Sequence, residues 1–145
     1  MSHYVCFTGG RDLDNEDTEA AMDDIVRFMS MFYGVGLRIM HGGATGIDAV
    51  ADRAAVRYDV TRKAYPADWG RGRRAGPERN KKMAGLLVAW AQQGHSVEVI
   101  AFPGGRGTKH MADLSEKLGL NVTYIDVVAP PEPAYEQPTL GATVE

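Results

Sequence analysis

The chain has 145 residues, of which 44% are hydrophobic and 24% are charged, values typical of globular domains. This length suits a single domain with one core, and the composition excludes wholesale disorder and a fibrous repeat. Lys and Arg number 16 against 19 Asp and Glu, so the net charge of −3 argues against a protein built mainly to neutralise nucleic acid. Any positively charged site must therefore be local.

The single cysteine, Cys6, excludes a disulfide within the chain and a thiolate metal cage. His41 and His110 have no further metal-binding side chain at ligand spacing, so we expect neither a metal nor a cofactor. The N-terminal residues lack the features of a secretion signal, and no apolar run approaches the roughly eighteen residues of a membrane span. We expect a cytoplasmic protein that does not contact a membrane.

Short β-rich segments that end in glycine alternate with helical patterns, an arrangement typical of βα units. After a first strand, HYVCFT, the spacing predicts a helix over residues 15–32, followed by a strand, LRIMH. The predicted apolar face of this helix consists of Ala20, Ala21, Ile25, Phe28, Met29 and Phe32. A second helix is predicted over residues 45–58 and a strand over residues 60–65. The predicted buried stripe of the second helix is Ile47, Val50, Ala51, Ala54 and Ala55.

The second half of the chain begins with PADWGRGRRAGP at residues 66–77, a composition that predicts a loop. The elements predicted after it are a helix over residues 78–93, a strand over 97–102, a helix over 108–118 and a strand over 122–127. Residues 128–145 contain four of the seven prolines and no apolar periodicity. We therefore predict one domain over residues 1–127 and an extended, flexible tail after it.

Five strands joined by helices of this length should lie mainly parallel, because a parallel neighbour requires a crossover connection. The sequence thus predicts an α/β fold: a single Rossmann-like domain with about five mainly parallel strands flanked by helices. In such sheets ligands bind beyond the carboxyl ends of the strands, which is where the glycine clusters of this chain fall.

Three glycine clusters follow predicted strands. Glycine at such a place lets backbone N–H groups approach an anion, and the next helix adds a favourable dipole. The alternative is that these glycines serve tight turns that need positive φ. The candidate ligand-binding residues of the clusters are Thr8, Gly9, Gly10, Arg11, Gly42, Gly43, Thr45, Gly46, Pro103, Gly104, Gly105, Arg106, Gly107 and Thr108.

Three polar residues near these clusters have two possible roles each. Thr108 and Thr45 could cap the helices that follow them or donate to a phosphate oxygen, and capping is the simpler role. Asp48 is predicted in the first turn of the second helix, where it could stabilise the helix dipole or accept a hydrogen bond from a ribose hydroxyl.

Six of the twelve residues from 71 to 82 are basic, in a chain that is otherwise acidic. A solvated charged face would explain such a run, but half of it lies in a glycine-rich loop beside a predicted anion site. Because the planar guanidinium matches phosphate, we include Arg74 and Arg79 among the ligand-binding candidates. Trp69 could stack on a base or pack under the loop. The sequence has no P-loop motif and no nucleophile elbow.

The segments TGGRD, HGGATGIDAVADRAA, PADW, GRRAGPERNKKM and AFPGGRGTKHM occur in this order between residues 8 and 124. In this combination the chain resembles the SLOG superfamily, and above all its YspA-like branch, which is often encoded by phages and mobile elements. The superfamily includes the Lonely Guy phosphoribohydrolases and the DNA-processing protein DprA. The resemblance implies a nucleotide-binding domain whose ligand lies between two glycine loops and Arg79, and it implies a homodimer. An apolar helix face with Met83, Leu86, Leu87 and Trp90 could be either core or subunit interface.

In the Lonely Guy enzymes a glutamate within the last glycine motif takes part in catalysis, and at its position this chain has Met111. Arg79, four residues before Met83, matches the arginine that assists cleavage. We therefore expect a protein that binds a nucleotide or nucleotide-derived molecule, as a sensor or a sequestering protein.

Two alternatives remain at this point. One is a phosphoribohydrolase-type enzyme that cleaves the N-glycosidic bond of a nucleoside 5′-monophosphate, with Arg79 as a catalytic residue and Glu78 or Asp113 in place of the missing glutamate. The other is DNA binding in the manner of DprA, which the acidic net charge disfavours.

Overall fold

The computed structural model describes residues 1–126 and residue 139. Helices and strands alternate along the chain. The strands are β1 (His3–Thr8), β2 (Leu37–His41), β3 (Thr61–Ala64), β4 (Ser96–Ala101) and β5 (Val122–Tyr124). The helices are α1 (Glu16–Tyr33), α2 (Ile47–Arg57), α3 (Ala75–Gln92) and α4 (Arg106–Lys117). Two short 3₁₀ helices lie at Gly34–Gly36 and Trp69–Arg74.

The five strands form one sheet in the order β3-β2-β1-β4-β5, and every pair is parallel. This arrangement confirms the predicted α/β, Rossmann-like fold. From β1 the chain adds β2 and β3 toward one edge of the sheet, and it then returns to add β4 and β5 on the other side of β1. The direction in which strands are added therefore reverses between β1 and β4. A crevice therefore opens beyond the carboxyl ends of β1 and β4, where ligands bind in folds of this kind.

The sheet separates two apolar cores. Alternate residues of β1 point to opposite faces, so Val5 and Phe7 pack with α1 and α2, whereas Cys6 packs with α3 and α4. Burial raises the pKa of the Cys6 thiol far above its ordinary value, so this thiol is an inert part of the core. The predicted stripe of α2 is buried at all five positions, which confirms it. Within the described part of the chain, no helix is both long and apolar enough to cross a lipid bilayer.

The predicted apolar face of α1 is partly wrong. Phe28 and Phe32 are 69% and 71% exposed, and Ala20 is exposed as well, whereas Met29 is buried as expected. The helix instead buries Thr18, Met22, Val26 and Met29, whose spacing of three and four residues faces the sheet. The two phenylalanines stack on each other in solvent, with ring centroids 6.3 Å apart.

The predicted loop at 66–77 contains regular structure. Asp68 caps a 3₁₀ helix by accepting a hydrogen bond from the Gly70 N–H, with 3.2 Å between the nitrogen and Oδ1. The next helix, α3, begins at Ala75 and includes Pro77, which is tolerated because first-turn N–H groups have no partner within a helix. Apolar Met83 and Leu87 are buried and Trp90 packs partly buried against the same core, so these three residues of the α3 face belong to the core. The fourth, Leu86, is half-buried.

Other boundaries differ by one or two residues, as is usual for helix and strand ends. The strand predicted over 122–127 is shorter than expected, since β5 ends at Tyr124 and residues 125 and 126 are not part of a strand. Residue 127 and, apart from residue 139, the predicted tail over residues 128–145 lie outside the described residues. The division of the chain into a domain and a tail therefore stays a prediction.

Gly46 precedes α2 with φ of 72°, and a Cβ on it would overlap the carbonyl oxygen of Gly10. We predict that Gly46→Ala lowers the free energy of unfolding by about 3 kcal/mol or more, because it adds left-handed strain to a backbone clash. Urea unfolding measures the change. Gly85→Ala is the matched control: an added Cβ at this exposed helical position meets nothing within 4 Å, so we expect a gain of about 0.5–1 kcal/mol. Equal destabilisation by the two variants would contradict this account.

Candidate functional site

A cavity of about 900 Å³ lies beyond the carboxyl ends of β1 and β4. It is bounded by the loops that follow β1, β2 and β4, by the Trp69–Arg74 helix and by the first turns of α3 and α4. The sequence-predicted residues that line it are Thr8, Gly9, Gly10, Arg11, Gly42, Asp48, Arg79, Pro103, Gly104, Gly105, Arg106, Gly107 and Thr108. The predicted residues that do not line it are Gly43, Thr45, Gly46 and Arg74. Most of the predicted site is thus brought together in one place.

The loops after β1 and β4 touch each other through backbone. The Gly10 N–H donates to the Pro103 carbonyl at 2.8 Å. A Cβ on Gly104 would overlap the Thr108 hydroxyl, and one on Gly9 would overlap Ile47. Glycine is therefore needed at positions 9 and 104 for close packing of the loops, whether or not a ligand is present.

The loop after β2 is occupied by the protein's own groups. Asp48 Oδ2 accepts hydrogen bonds from the N–H groups of Gly42 and Ala44, both at 3.1 Å. The Gly43 N–H donates to His41 Nδ1 at 3.0 Å. A carboxylate from the first turn of α2 thus stands where the sequence analysis expected a ligand phosphate. These three amides are not free for an external anion.

The start of α2 is likewise filled from within. The Ile47 N–H donates to the Gly10 carbonyl at 3.2 Å, and the Thr45 hydroxyl donates to the Arg11 carbonyl at 3.0 Å. Thr45 therefore does not cap α2, whose N-cap is Gly46. The loop after β1 comes so close to the start of α2 that its backbone carbonyls accept these hydrogen bonds in place of a side-chain cap.

Asp48 is 7% exposed, and burial is the largest influence on it, raising the pKa of its carboxyl. The hydrogen bonds from Ala44 and Gly42 and the positive charge of Arg79 act in the opposite direction. Of the two roles expected for this residue, its place in the first turn of α2 fits dipole stabilisation. Its principal contacts, however, clamp the glycine loop.

Arg79 is half-buried in the cavity wall and is held by three acceptors. Its Nη1 donates to the Gly42 carbonyl at 2.6 Å and to the Tyr65 carbonyl at 3.4 Å, and its Nε donates to Asn80 Oδ1 at 3.0 Å. Burial lowers the pKa of the guanidinium and the negative charge of Asp48 opposes this effect. Arg79 therefore fixes the backbone of two neighbouring segments as well as placing positive charge at the cavity.

Asn80 is a site residue that the sequence analysis missed. It is 3% exposed, and its Nδ2 lies 3.2 Å from the Gly107 carbonyl, to which it donates, and 3.1 Å from His110 Nδ1. This amide joins α3 to the first turn of α4. A polar residue three positions before Met83, on the buried face of an amphipathic helix, was the signal in the sequence that could have revealed it.

The first turn of α4 opens into the cavity without a cap. The helix begins at Arg106, and its N-cap, Gly105, makes no side-chain capping bond. The first helical hydrogen bond runs from the Lys109 N–H to the Gly105 carbonyl at 3.0 Å. The N–H groups of Arg106, Gly107 and Thr108 thus have no acceptor within the helix. The expectation that Thr108 caps this helix was wrong, because the helix starts two residues earlier and places Thr108 within its first turn.

The lining is rich in arginine. Arg11, Arg73, Arg79 and Arg106 line the cavity, together with the carboxylates Asp12 and Asp48. Arg74, by contrast, lies outside, with its Nε 3.9 Å from a carboxylate oxygen of Glu78. The basic run at residues 71–82 is therefore divided between the cavity and other surfaces.

The carboxylates considered as substitutes for a catalytic glutamate lie elsewhere. Met111, at the position of that glutamate, is fully buried in the core between the sheet, α3 and α4. Glu78 lies on a separate surface depression beside residues 63–68, where it also forms an ion pair with Arg71 at 3.3 Å. Asp113 forms an ion pair with Lys109 at 2.9 Å. Neither lines the cavity. Among the described residues, no group of three His, Cys, Asp or Glu side chains is placed to hold a metal ion.

The fold and the site define a Rossmann-like α/β protein with a crevice at the switch point of its sheet. The chain belongs to the YspA, cpYpsA-related SLOG family, whose model matches residues 4–72. It is 38% identical over 97 residues to the Gene 61 protein of Mycobacterium phage D29, an alignment that covers 60% of this chain and 70% of that protein. A phage relative agrees with the association that the resemblance implied.

Comparison with solved structures gives two matches. DNA processing protein A (DprA) of Streptococcus pneumoniae superposes with a TM-score of 0.50 at 18% identity, over 84% of this chain and 58% of that one. The molybdenum cofactor carrier protein of Chlamydomonas reinhardtii gives a TM-score of 0.44 at 16% identity, over 88% of this chain and 92% of that one. This chain thus spans little more than half the length of the DprA structure.

The raised pKa of Asp48 predicts a pH dependence of stability. Because the folded state holds this proton more tightly than the unfolded state, the free energy of unfolding of the wild type, relative to Asp48→Asn, is highest below about pH 4 and falls as the pH rises through the raised pKa. Urea unfolding of both proteins between about pH 3.5 and pH 7 measures the difference. Asp14→Asn, which removes an exposed carboxyl, is the control for loss of one charge. A difference that grows with pH would contradict the assignment.

Proposed function

We propose that the cavity binds a phosphorylated small molecule, a nucleotide or a nucleotide-derived compound, and that the protein senses or sequesters it. The observation that carries the proposal is the uncapped first turn of α4, which opens into a 900 Å³ cavity that four arginines line. Free N–H groups and a helix dipole favour an anion, and guanidinium groups match phosphate in shape and charge. The volume lies within the range of small-molecule sites.

The occupied β2 loop refines the proposal. Because Asp48 takes the N–H groups of Gly42 and Ala44, the anionic group is assigned to the α4 side of the cavity and not to the β2 loop. At Gly42 the negative charge of Asp48 offsets part of the positive charge of Arg79, so this wall attracts an anion less strongly than the α4 side does. The ligand's charged group and its remaining part would occupy different ends of the cavity.

Substitutions at Arg106, the first residue of α4, test where the anion lies. Proline is compatible with the first helical position and follows Gly105 in extended backbone, so Arg106→Pro removes both the guanidinium and one N–H, whereas Arg106→Ala removes the guanidinium alone. We predict that the proline variant binds nucleotides about ten- to one-hundred-fold more weakly than the alanine variant, the value of a hydrogen bond to a charged group. Isothermal titration with nucleoside 5′-monophosphates and ADP-ribose measures this.

Arg74→Ala is the control, since this arginine lies outside the cavity and should leave affinity unchanged. Absence of binding by every compound of the panel up to about millimolar concentration would remove the proposed function. Equal affinity of the two Arg106 variants would place the anion elsewhere.

Cleavage of a nucleoside 5′-monophosphate is the second candidate function, and one observation keeps it open: Asp12 is an exposed carboxylate in the cavity lining. Because Met111 occupies the position of the family's glutamate, we expect no turnover by the Lonely Guy mechanism. Overnight incubation followed by chromatography should therefore show no free base. If the wild type does release base, cleavage in this cavity requires that Asp12→Asn and Arg79→Ala each abolish the release.

DNA and a second copy of this chain are the two macromolecular partners considered for the protein. DNA binding is disfavoured by the net charge and by the division of the 71–82 run, in which Arg71 and Arg74 pair with Glu78. A homodimer stays a prediction. Since Met83 and Leu87 of α3 are buried in the core, we propose the exposed aromatic pair Phe28 and Phe32 on α1 as the apolar surface of such an interface, among the residues that the structure describes.

A further inference from the structure

Trp69 is an exposed tryptophan in the wall of the cavity. Its side chain is 52% exposed, although tryptophan is usually well buried. It begins the 3₁₀ helix before α3, and a Cβ added to Gly76 would lie 3.3 and 3.7 Å from two neighbouring atoms at the outer edge of the six-membered ring. Helix α3 therefore contacts the outer edge of the ring, and about half of the Trp69 side chain stays exposed at 52%.

Arg11 lies over this ring. Its Cζ is 4.8 Å from the ring centroid, the geometry of a cation–π contact. Among residues 1–126 and 139, no carboxylate oxygen lies within 4 Å of a nitrogen of the Arg11 guanidinium. The backbone of Arg11 is fixed, because its carbonyl accepts from Thr45, whereas its side chain is exposed. One face of the Trp69 ring is thus covered by the Arg11 guanidinium, which no carboxylate holds there and which another flat group can replace.

We propose that Trp69 is the stacking platform for a flat heteroaromatic group of the ligand, and that Arg11 moves from the ring to the ligand's anionic group when the ligand binds. The inference rests on the proposed function and names the chemical class of ligand: a molecule with both an aromatic ring system and a phosphate. A sugar phosphate without a base uses only the anionic end of the cavity.

Relative interaction strengths favour the exchange. An exposed cation–π contact is weak, whereas a base stacked on an aromatic side chain contributes more and tolerates any base, because every base has a π-face. A guanidinium released from the ring can form a charge-assisted pair with phosphate, which is stronger than the contact it leaves. A ligand with both groups therefore gains two interactions for the loss of one.

The test compares adenosine 5′-monophosphate, guanosine 5′-monophosphate and ADP-ribose with ribose 5-phosphate, by titration of the full chain. We expect Trp69→Leu to weaken binding of the base-containing probes by about ten- to one-hundred-fold and to leave ribose 5-phosphate within about twofold of wild type. Trp69→Phe should retain most of the affinity, since a phenyl ring still stacks. Circular dichroism and thermal unfolding verify that each variant is folded.

Arg11→Gln separates the two halves of the proposal. It should weaken all of these probes by a similar factor, because the guanidinium acts on the anionic group that they share. Fluorescence gives an independent signal, since Trp90→Phe leaves Trp69 as the single tryptophan and Trp90 stacks on Tyr4 outside the cavity. The base-containing probes should then quench Trp69 emission and ribose 5-phosphate should not.

Two results would overturn the proposal while the proposed function stands. In the first, Trp69→Leu leaves every affinity unchanged. In the second, it weakens ribose 5-phosphate as much as the nucleotides, so that the tryptophan merely shapes the cavity. Unchanged affinities in Arg11→Gln would remove the exchange. Failure of the wild type to bind any probe is different, because it removes the proposed function itself.

Discussion

The site depends on one intramolecular interaction: the carboxylate of Asp48 accepts hydrogen bonds from the N–H groups of Gly42 and Ala44. This clamp sets the position of the β2 loop and turns the Gly42 carbonyl toward Arg79. Arg79 in turn holds Asn80, whose amide reaches the first turn of α4. A chain of polar contacts thus runs from the start of one helix to the start of another, across the crevice between the two halves of the sheet. Each buried polar group in it has a partner, as a buried network requires.

Much of the fold follows from patterns in the sequence that have a direct physical cause. Strands that end in glycine and alternate with helical periodicity require crossovers, and crossovers produce a parallel sheet. The stripe of α2 was predicted at every position because small and branched apolar residues there recur strictly at helical spacing. The predicted α1 face was partly wrong because apolar residues lie on more than one side of that helix. Periodicity does not distinguish Phe28 from Met29, one position apart, when both are apolar.

The candidate site was predictable as a location but not in its internal contacts. Glycine after a strand indicates backbone in close approach, yet the sequence does not say what approaches it. At Gly42 it is the protein's own carboxylate, at Gly46 the Gly10 carbonyl, and at Gly104 the Thr108 hydroxyl. Whether an amide meets a ligand or a neighbour depends on tertiary packing over many residues. The role of Asn80 likewise depends on tertiary packing, because its partners Gly107 and His110 lie on another helix.

The hydrogen bond between Gly10 and Pro103 has a consequence for how the protein is made. It joins the first loop of the chain to the last one before α4, so most of the described chain lies between its two partners. Closing a loop of that length costs entropy, which the packing of the two loops and of β1 against β4 must recover. A nascent chain on the ribosome would therefore acquire its first strands and helices well before the crevice exists. Ligand recognition of the kind proposed here belongs to the finished domain, because a chain that ends before Pro103 lacks the wall formed by the loop after β4 and the first turn of α4.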